Sequence, residues 1–306
     1  MKRIFLIALF GGYHLASISQ IPKVSSGTIK HYEKFESKFV VARNVDVWLP
    51  DGYDSKKKYA VLYMHDGKSL YDSAIMWNKQ EWKVDEVMSK LQCEGKIRSC
   101  IVVGIYNSEG TRHPEYFPQK PYESLSQVER DTITAQLQKM GRTKEVFKPV
   151  SDNYLKFLVE EMKPFIDKNF STKTDVKNTF VAGSSMGGLI SMYAISEYPN
   201  VFGGAACLST HWPGTFKVEG NPIPEAFFRY MSSKLPDPKT HKLYFDFGDQ
   251  TLDALYPPLQ KRADEVIKSK GYTTKNWMTK FFPGENHSEN AWSKRLDIPL
   301  LFLLKK

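Results

Sequence analysis

Thr179-Phe-Val-Ala182 runs straight into Gly183-Ser184-Ser185-Met186-Gly187, and residues 189–198 follow with a helix-forming composition. The five central residues fit G-x-S-x-G. That pattern weighs little alone and much more when an apolar strand leads into it and a helix leaves it. The spacing has a steric reason. A chain turning sharply from strand to helix forces the middle residue into a strained conformation, and glycines two before and two after remove side chains that would collide. The Ser185 hydroxyl is then held clear of its own backbone. Free N–H groups at the helix start, with that of Met186 nearest, and the positive end of the helix dipole suit a developing oxyanion.

Working outward, apolar runs at 59–64, 100–106, 204–208, 243–247 and 277–282 read as strands, with a further one at 39–49. Continuous apolar runs suit strands covered on both faces. Helical spacing appears at 82–91, 153–165, 189–198, 255–270 and 290–304. Strands alternating with helices predict an α/β fold: a mostly parallel central sheet with helices on both faces and right-handed crossovers. Residues 107–150 break the rhythm. They are polar and carry Pro114, Pro118, Pro121 and Pro149. They read as a surface excursion with one helix near 126–140, of the kind that forms lids or binding loops.

A serine hydroxyl needs a base to act as a nucleophile near neutral pH. Behind a turn of this type the partners follow in the order serine, acid, histidine. His241 precedes a strand, at the wrong end of the sheet. His211 follows a strand but comes too early for that order. His287, in Phe282-Pro-Gly-Glu-Asn-His287, follows the last strand and lies at the carboxyl edge, where ligands bind in such sheets. The acid falls after the strand at 243–247, in Gly248-Asp249-Gln250-Thr251-Leu252-Asp253. Asp253 is the first choice and Asp249 the alternative. Asp253 would orient the imidazole and stabilise its charged form; an Asp just before a helix also serves as a cap.

The ordered set of Val61-Leu-Tyr-Met-His-Asp-Gly67, Trp82-Lys-Val-Asp85, Val102-Val-Gly-Ile105, Arg112 with Glu115-Tyr116 and Pro118, Gly183 to Gly188, Gly248 to Asp253, and His287 with Trp292 resembles the putative esterase family of α/β-hydrolases. That group includes feruloyl and acetyl-xylan esterases, siderophore esterases and S-formylglutathione hydrolases. The resemblance covers roughly residues 40–304. It implies the α/β-hydrolase fold and ester hydrolysis through an acyl-enzyme, without metal or cofactor. His65-Asp66-Gly67-Lys68 resembles the family's oxyanion loop, so a backbone N–H near Gly67 or Lys68 becomes the second donor. Arg112, Glu115 and Tyr116 match a block beside the site and become candidate substrate contacts, as do His211 and Trp212 for the acyl or alcohol pocket. Some members work as a serine–histidine pair, which bears on Asp253 more than on His287. Siderophore esterases carry a stretch richer in serine and tryptophan where this chain has Ser209-Thr210-His211-Trp212. The expected substrate is a small-molecule or glycan ester. Trp77, Trp212 and Trp292 near the site loops suit sugar or aryl rings, which favours acylated glycans or feruloyl-type esters. A catecholate tri-ester of a siderophore, or acyl transfer on the same fold, are the alternatives.

The chain has 306 residues, 41% hydrophobic and 25% charged, as an ordinary globular protein does. Its net charge of +9 comes from scattered Lys and Arg. No basic stripe, finger or recognition helix points to nucleic acid. Cys93, Cys100 and Cys207 have no metal-ligand spacing; Cys93 and Cys100 could pair, or all three could be free. At the start, Lys2 and Arg3 precede an apolar run from Ile4 to Phe10, and small residues follow up to Gln20. This is the layout of a secretory signal peptide, too short to anchor in a bilayer. The expected organisation is therefore a signal peptide at 1–19, a polar mobile leader at 20–36 and an esterase domain at 37–306, exported to the periplasm or secreted with no stable membrane anchor. Mass spectrometry of the exported protein should then find an N-terminus near Gln20; an intact Met1 would overturn this.

Overall fold

The structure, a computed structural model, describes residues 20–108 and 110–306. The expected signal peptide lies outside the described residues. Eight strands form one sheet among the described residues, in the order β1-β2-β4-β3-β5-β6-β7-β8. They are β1 Thr28–Phe35, β2 Arg43–Leu49, β3 Ala60–His65, β4 Cys100–Ile105, β5 Thr179–Ser184, β6 Gly204–Leu208, β7 Lys242–Phe247 and β8 Trp277–Phe281. From β4 to β8 every pairing is parallel; β2 is antiparallel to both β1 and β4. The expected mostly parallel sheet is therefore present.

The residues of β3, β4, β5 and β6 are buried throughout, because side chains alternate between two covered faces. One face packs Val61, Tyr63, Val103 and Val181 against Leu189, Ile190 and Tyr193. The other packs Leu62, Met64, Val102 and Phe180 against Met88, Leu300 and Leu303. The helices are α1 Val84–Cys93, α2 Arg112–Tyr116, α3 Gln119–Glu123, α4 Gln127–Lys139, α5 Ser151–Lys156, α6 Lys163–Asn169, α7 Met186–Glu197, α8 Ile223–Lys234, α9 Pro257–Ser269, α10 Glu289–Ser293 and α11 Asp297–Leu304. A π-helical turn at Phe157–Met162 joins α5 to α6.

Several sequence expectations need correction. Residues 28–35 are not a mobile leader but the edge strand β1. Its polar outer positions face solvent, while Tyr32 and Phe35 pack edge-on against Phe165. Before it, Ser25 is clipped to Asp85 through its N–H and hydroxyl at 2.6 and 2.9 Å. The stretch 107–150, expected to carry one helix, carries three among its described residues. Its described part folds into α2, α3 and α4, and Phe117, Tyr122, Ile133, Leu137 and Phe147 join the main core. The helix expected near 126–140 is α4, opened by a capping box between Ser126 and Glu129. The helix expected over 290–304 is broken into α10 and α11. The restart at Asp297 puts Pro299 in a first turn, where its missing N–H removes no helical bond. Cys93 is exposed and Cys100 buried, and all three cysteines are free.

The polar edge of the sheet is tied to α2 by a buried ion pair. The Arg43 guanidinium donates through both terminal nitrogens to Glu115, at 2.8 and 2.7 Å. Arg43→Ala leaves the Glu115 carboxylate buried without its counter-charge. We expect a loss of about 3–5 kcal/mol, read as a lower urea midpoint at unchanged slope.

Candidate active site

Ser185 stands between β5 and α7 with φ 57° and ψ −121°. A non-glycine residue reaches this region only where its surroundings over-determine it. They do. The Ser185 N–H donates to Leu208 at 2.9 Å, and its carbonyl accepts from the N–H groups of Gly188, Leu189 and His211 at 3.0, 3.2 and 3.2 Å. The glycine argument holds unequally. A Cβ on Gly183 would sit 2.8 Å from the Gly187 carbonyl carbon, so no side chain fits there. A Cβ on Gly187 would come only within 3.4 Å of Asp66 Oδ2. The tight demand after the serine falls on Gly188, whose Cβ would meet the Thr210 hydroxyl at 2.9 Å. Met186 is the first residue of the twelve-residue α7, where N–H groups lack intrahelical acceptors and the dipole is positive.

His287 lies in the loop between β8 and α10. Its Nδ1 is 2.6 Å from Asp253 Oδ1, and its backbone N–H donates to the Thr251 hydroxyl at 3.1 Å. Asp253 is fully buried. Its second oxygen accepts from the Ser209 hydroxyl at 2.6 Å and the Gly248 N–H at 2.7 Å. Burial opposes the ionised form, yet the hydrogen bond and charge of His287, then Ser209 and Gly248, hold the Asp253 carboxyl below the ordinary range. Asp249 faces another way: its carboxylate accepts from the Gly284 N–H at 2.8 Å and from Gln250 at 2.9 Å, pinning one loop to the next.

Ser185, Met186 and His287 line one cavity of about 960 Å³. Lys68 and Arg112 also line it. Lys68 sits in the 3-10 turn Gly67–Ser69, after Asp66 at φ 57°. Gly67 is wedged against β4, where a Cβ would come within 2.6 Å of the Gly104 carbonyl carbon. Arg112 spends its charge on Asp66, gripping both carboxylate oxygens at 2.6 and 2.8 Å, while Asn107 donates to the same carboxylate at 2.5 Å. Arg112 thus fixes the loop that presents Lys68.

Three of the expected substrate contacts do not reach the cavity: Glu115 is buried and paired with Arg43, and Tyr116 and Trp212 are core residues. The Tyr116 hydroxyl accepts from the Asp66 N–H at 3.3 Å, and its buried ring lies 5.2 Å beneath the Arg112 guanidinium. Trp212 is wholly buried, stacked 5.8 Å from Phe245, with Nε1 donating to Gln260 at 2.9 Å. Neither lines the cavity. An aromatic residue at a loop motif carries no signal of which way its ring turns. His211 does line the cavity; burial, then the neighbouring charged groups, push it well below its ordinary range, so its ring is neutral.

Three residues around the triad-like set were not legible in the sequence. Ser209, at φ 41°, also accepts from Trp292 Nε1 at 3.0 Å and Arg295 at 3.1 Å. Arg295 in turn donates to Asp246 at 2.8 Å. The Tyr256 hydroxyl bonds His211 Nδ1 at 2.9 Å; its ring stands edge-on to His287 at 5.8 Å. Only the position of Tyr256, three residues after Asp253, could have drawn attention to it. Among the described residues no cluster of three or more His, Cys, Asp or Glu is placed to hold a metal ion. No helix among them is long and apolar enough to cross a membrane.

A profile of the family described as Putative esterase matches residues 39–298. The chain belongs to that esterase family. A protein of Xylanibacter ruminicola named endo-1,4-beta-xylanase/feruloyl esterase is 25% identical over 280 residues, covering 90% of this chain. The chain spans about a third of that relative, 31% of its length. The uncharacterised YbbA of Bacillus subtilis is 24% identical, covering 86% of this chain and 93% of its own. Among solved structures, a ferulic acid esterase from Anaeromyces mucronatus in complex with ferulic acid has a TM-score of 0.61 at 19% identity, over 92% of this chain and 93% of that one. The enterobactin esterase of Shigella flexneri with enterobactin reaches 0.64 at 15% identity, over 93% and 60%. Both support the fold, an α/β-hydrolase with a mixed, mostly parallel sheet.

The Ser209 contact has a pH signature. A carboxyl depressed in the folded state adds stability above its ordinary value, near 4, and that stability is lost as pH falls through the folded value. Ser209→Ala removes one donor to the ionised Asp253. The stability gap between wild type and variant should be widest at neutral pH, about 1–3 kcal/mol, and should narrow as pH falls below the ordinary carboxyl range. Urea midpoints across that range check it; a gap that widens on acidification would contradict it.

Proposed function

We propose that the protein is an exported serine carboxylic-ester hydrolase in which Ser185 is the nucleophile, His287 the general base and Asp253 the residue that orients it. One observation carries this reading: His287 is bound through Nδ1 to a buried carboxylate while its ring lines the same cavity as the strained Ser185. Nδ1 being engaged, Nε2 is the atom free to exchange protons in the cavity.

The reaction then runs as follows. His287 Nε2 takes the Ser185 proton as Oγ attacks the ester carbonyl carbon. The carbonyl oxygen becomes an oxyanion, held by the N–H groups of Met186 and Lys68. As the carbon–oxygen bond to the alcohol breaks, the imidazolium returns the proton to the departing oxygen, leaving an acyl-enzyme. Water, deprotonated by His287, attacks the acyl carbon; the carboxylic acid leaves and Ser185 regains its proton. These steps use side chains and backbone groups of this chain, with no cofactor.

For substrate, we favour an acylated glycan or an aryl ester of feruloyl type. The cavity is lined by aromatic rings and amides, and the feruloyl esterase relative and the ferulate-bound structure support that choice. A catecholate siderophore ester is the second reading. It is favoured by Lys68 and Arg142, cavity residues that form no ion pair among the described residues and would attract an anionic complex. Turnover of a panel of feruloyl, acetyl and catecholate esters separates the two. Ser185→Ala should fold as the wild type, lose labelling by a fluorophosphonate probe and lose ester turnover by about 10³-fold or more. Full turnover in that variant would refute the assignment.

A further inference from the structure

Every hydrogen-bonding position of the Ser209 hydroxyl is taken, and its direction is fixed. Ser209 is fully buried just after β6. Its Oγ lies 2.6 Å from Asp253 Oδ2, 3.0 Å from Trp292 Nε1 and 3.1 Å from Arg295 Nη2. An indole and a guanidinium can only donate, and a serine hydroxyl has one proton and two acceptor sites. The single proton therefore faces Asp253. The same Arg295 Nη2 donates to Asp246 at 2.8 Å. Asp246 closes the set. Its other oxygen accepts from the Tyr244 hydroxyl at 3.0 Å, and its carbonyl accepts from the Ser209 N–H at 2.8 Å. Burial pushes the Asp246 carboxyl up, and Arg295 comes first among the groups that pull it back. Trp292 joins the hydroxyl to the imidazole, with its ring edge-on to His287 at 5.0 Å.

We propose that Ser209 and Arg295 are positioning residues of the reaction: Arg295, held by Asp246, makes the Ser209 hydroxyl an obligate donor to Asp253 and so limits how firmly that carboxylate binds a protonated His287. This rests on the esterase reading above and adds to it the control of the base. A general base works only while it is unprotonated. Without the Ser209 donor, Asp253 directs more of its charge at the imidazole and favours the imidazolium. Loss of Arg295 acts in the same direction by two routes. The Ser209 hydroxyl is less polarised and donates more weakly, and a buried cation that opposes the imidazolium is gone. The other groups around His287 leave this route open. His211 is neutral, and Tyr256 presents the edge of its ring. On the loop of His287 itself, Glu285 pairs with Lys294 and Glu289 accepts from Asn78. Across the cavity Arg112 is spent on Asp66.

The pH dependence of kcat/KM for an aryl acetate reads the base of the free enzyme. Ser209→Ala should move its acid limb up by about half a pH unit and lower kcat about tenfold, with KM changed by less than about twofold. Arg295→Met alone leaves Asp246 buried without its counter-charge and can fail to fold, so it is combined with Asp246→Asn, which removes both charges. That double variant should show an upward displacement too. Arg295→Lys, which keeps a donor and the charge, should lie closer to the wild type. In the Ser209→Ala background the two added substitutions should move the limb no further, because the route runs through the hydroxyl. An unmoved acid limb in either Ser209→Ala or the double variant, whatever the loss in kcat, makes the network a scaffold only and overturns the proposal. A further displacement in the triple variant overturns it as well. Nitrogen NMR of labelled histidines in Ser185→Ala protein follows the His287 ring without turnover, and adding Ser209→Ala should displace its titration in the same direction. Failure of the esterase reading shows separately, as wild-type protein that takes no fluorophosphonate and cleaves no aryl ester.

Discussion

A carboxylate with no solvent exposure, Asp253, joins the ends of three strands. It takes a hydrogen bond from His287 in the loop after β8, one from Ser209 just after β6, and one from Gly248 just after β7. Left without such partners, an ionised carboxyl in the interior would carry a desolvation cost of several kcal/mol. Paired this way, it can stay charged only in the arrangement that also fixes the imidazole ring. The same bonds that make the charge tolerable therefore set the geometry of the cavity. Remove any one donor and the remaining loops lose the reason to converge.

Behind this carboxylate the protein repeats the device. Arg295 grips Asp246 on β7 and reaches Ser209, so a buried positive charge stands behind the hydroxyl that serves Asp253. On the other side of the cleft Arg112 grips Asp66, and Arg43 grips Glu115 on the helix that carries Arg112. Arg43 and Arg112 match their carboxylates with a planar fork, which fixes direction as well as distance, while Arg295 meets Asp246 through one terminal nitrogen. Buried ion pairs contribute little net stability against an apolar core. Their use here is placement: each one holds a turn whose backbone N–H groups or side chain faces the cavity.

How far the sequence revealed this differs from residue to residue. The serine turn was legible because its determinants are local: an apolar strand, two glycines at fixed offsets and a helix. His287 was legible by its place after the last strand, and Asp253 was separable from Asp249 only once their partners were visible. The edge strand β1 resembles a leader in sequence because one of its faces is solvated and its residues, Thr28-Ile-Lys-His-Tyr-Glu-Lys-Phe35, are mostly polar. Helix α8 gave no clear signal beside the irregular stretch before it. Tyr116 and Trp212 carry the right chemistry for a pocket, yet their rings turn inward, and ring direction is a property of tertiary packing. Ser209, Tyr256 and Arg295 act across 44, 45 and 49 residues of chain, distances at which no local pattern exists.

Backbone strain follows the same map. Of the seven non-glycine residues with positive φ among the described residues, Asp66, Ser185, Ser209 and Thr251 all belong to the loops that meet at the cavity, and Lys79 and Lys83 sit in or beside the loop that bears Trp77. Each such residue costs about 1–3 kcal/mol, and each at the cavity is held by a bond that also serves the site. Ser185 is held by Leu208 and His211, Ser209 by the Asp246 carbonyl at 2.8 Å, and Thr251 by its bond to the His287 N–H. Ser185 is supported twice over, from β6 and its following loop through Leu208 and His211 and from α7 through Gly188 and Leu189. The hydroxyl of Ser185 is consequently presented before any substrate arrives, and binding need not be spent on reorganising it.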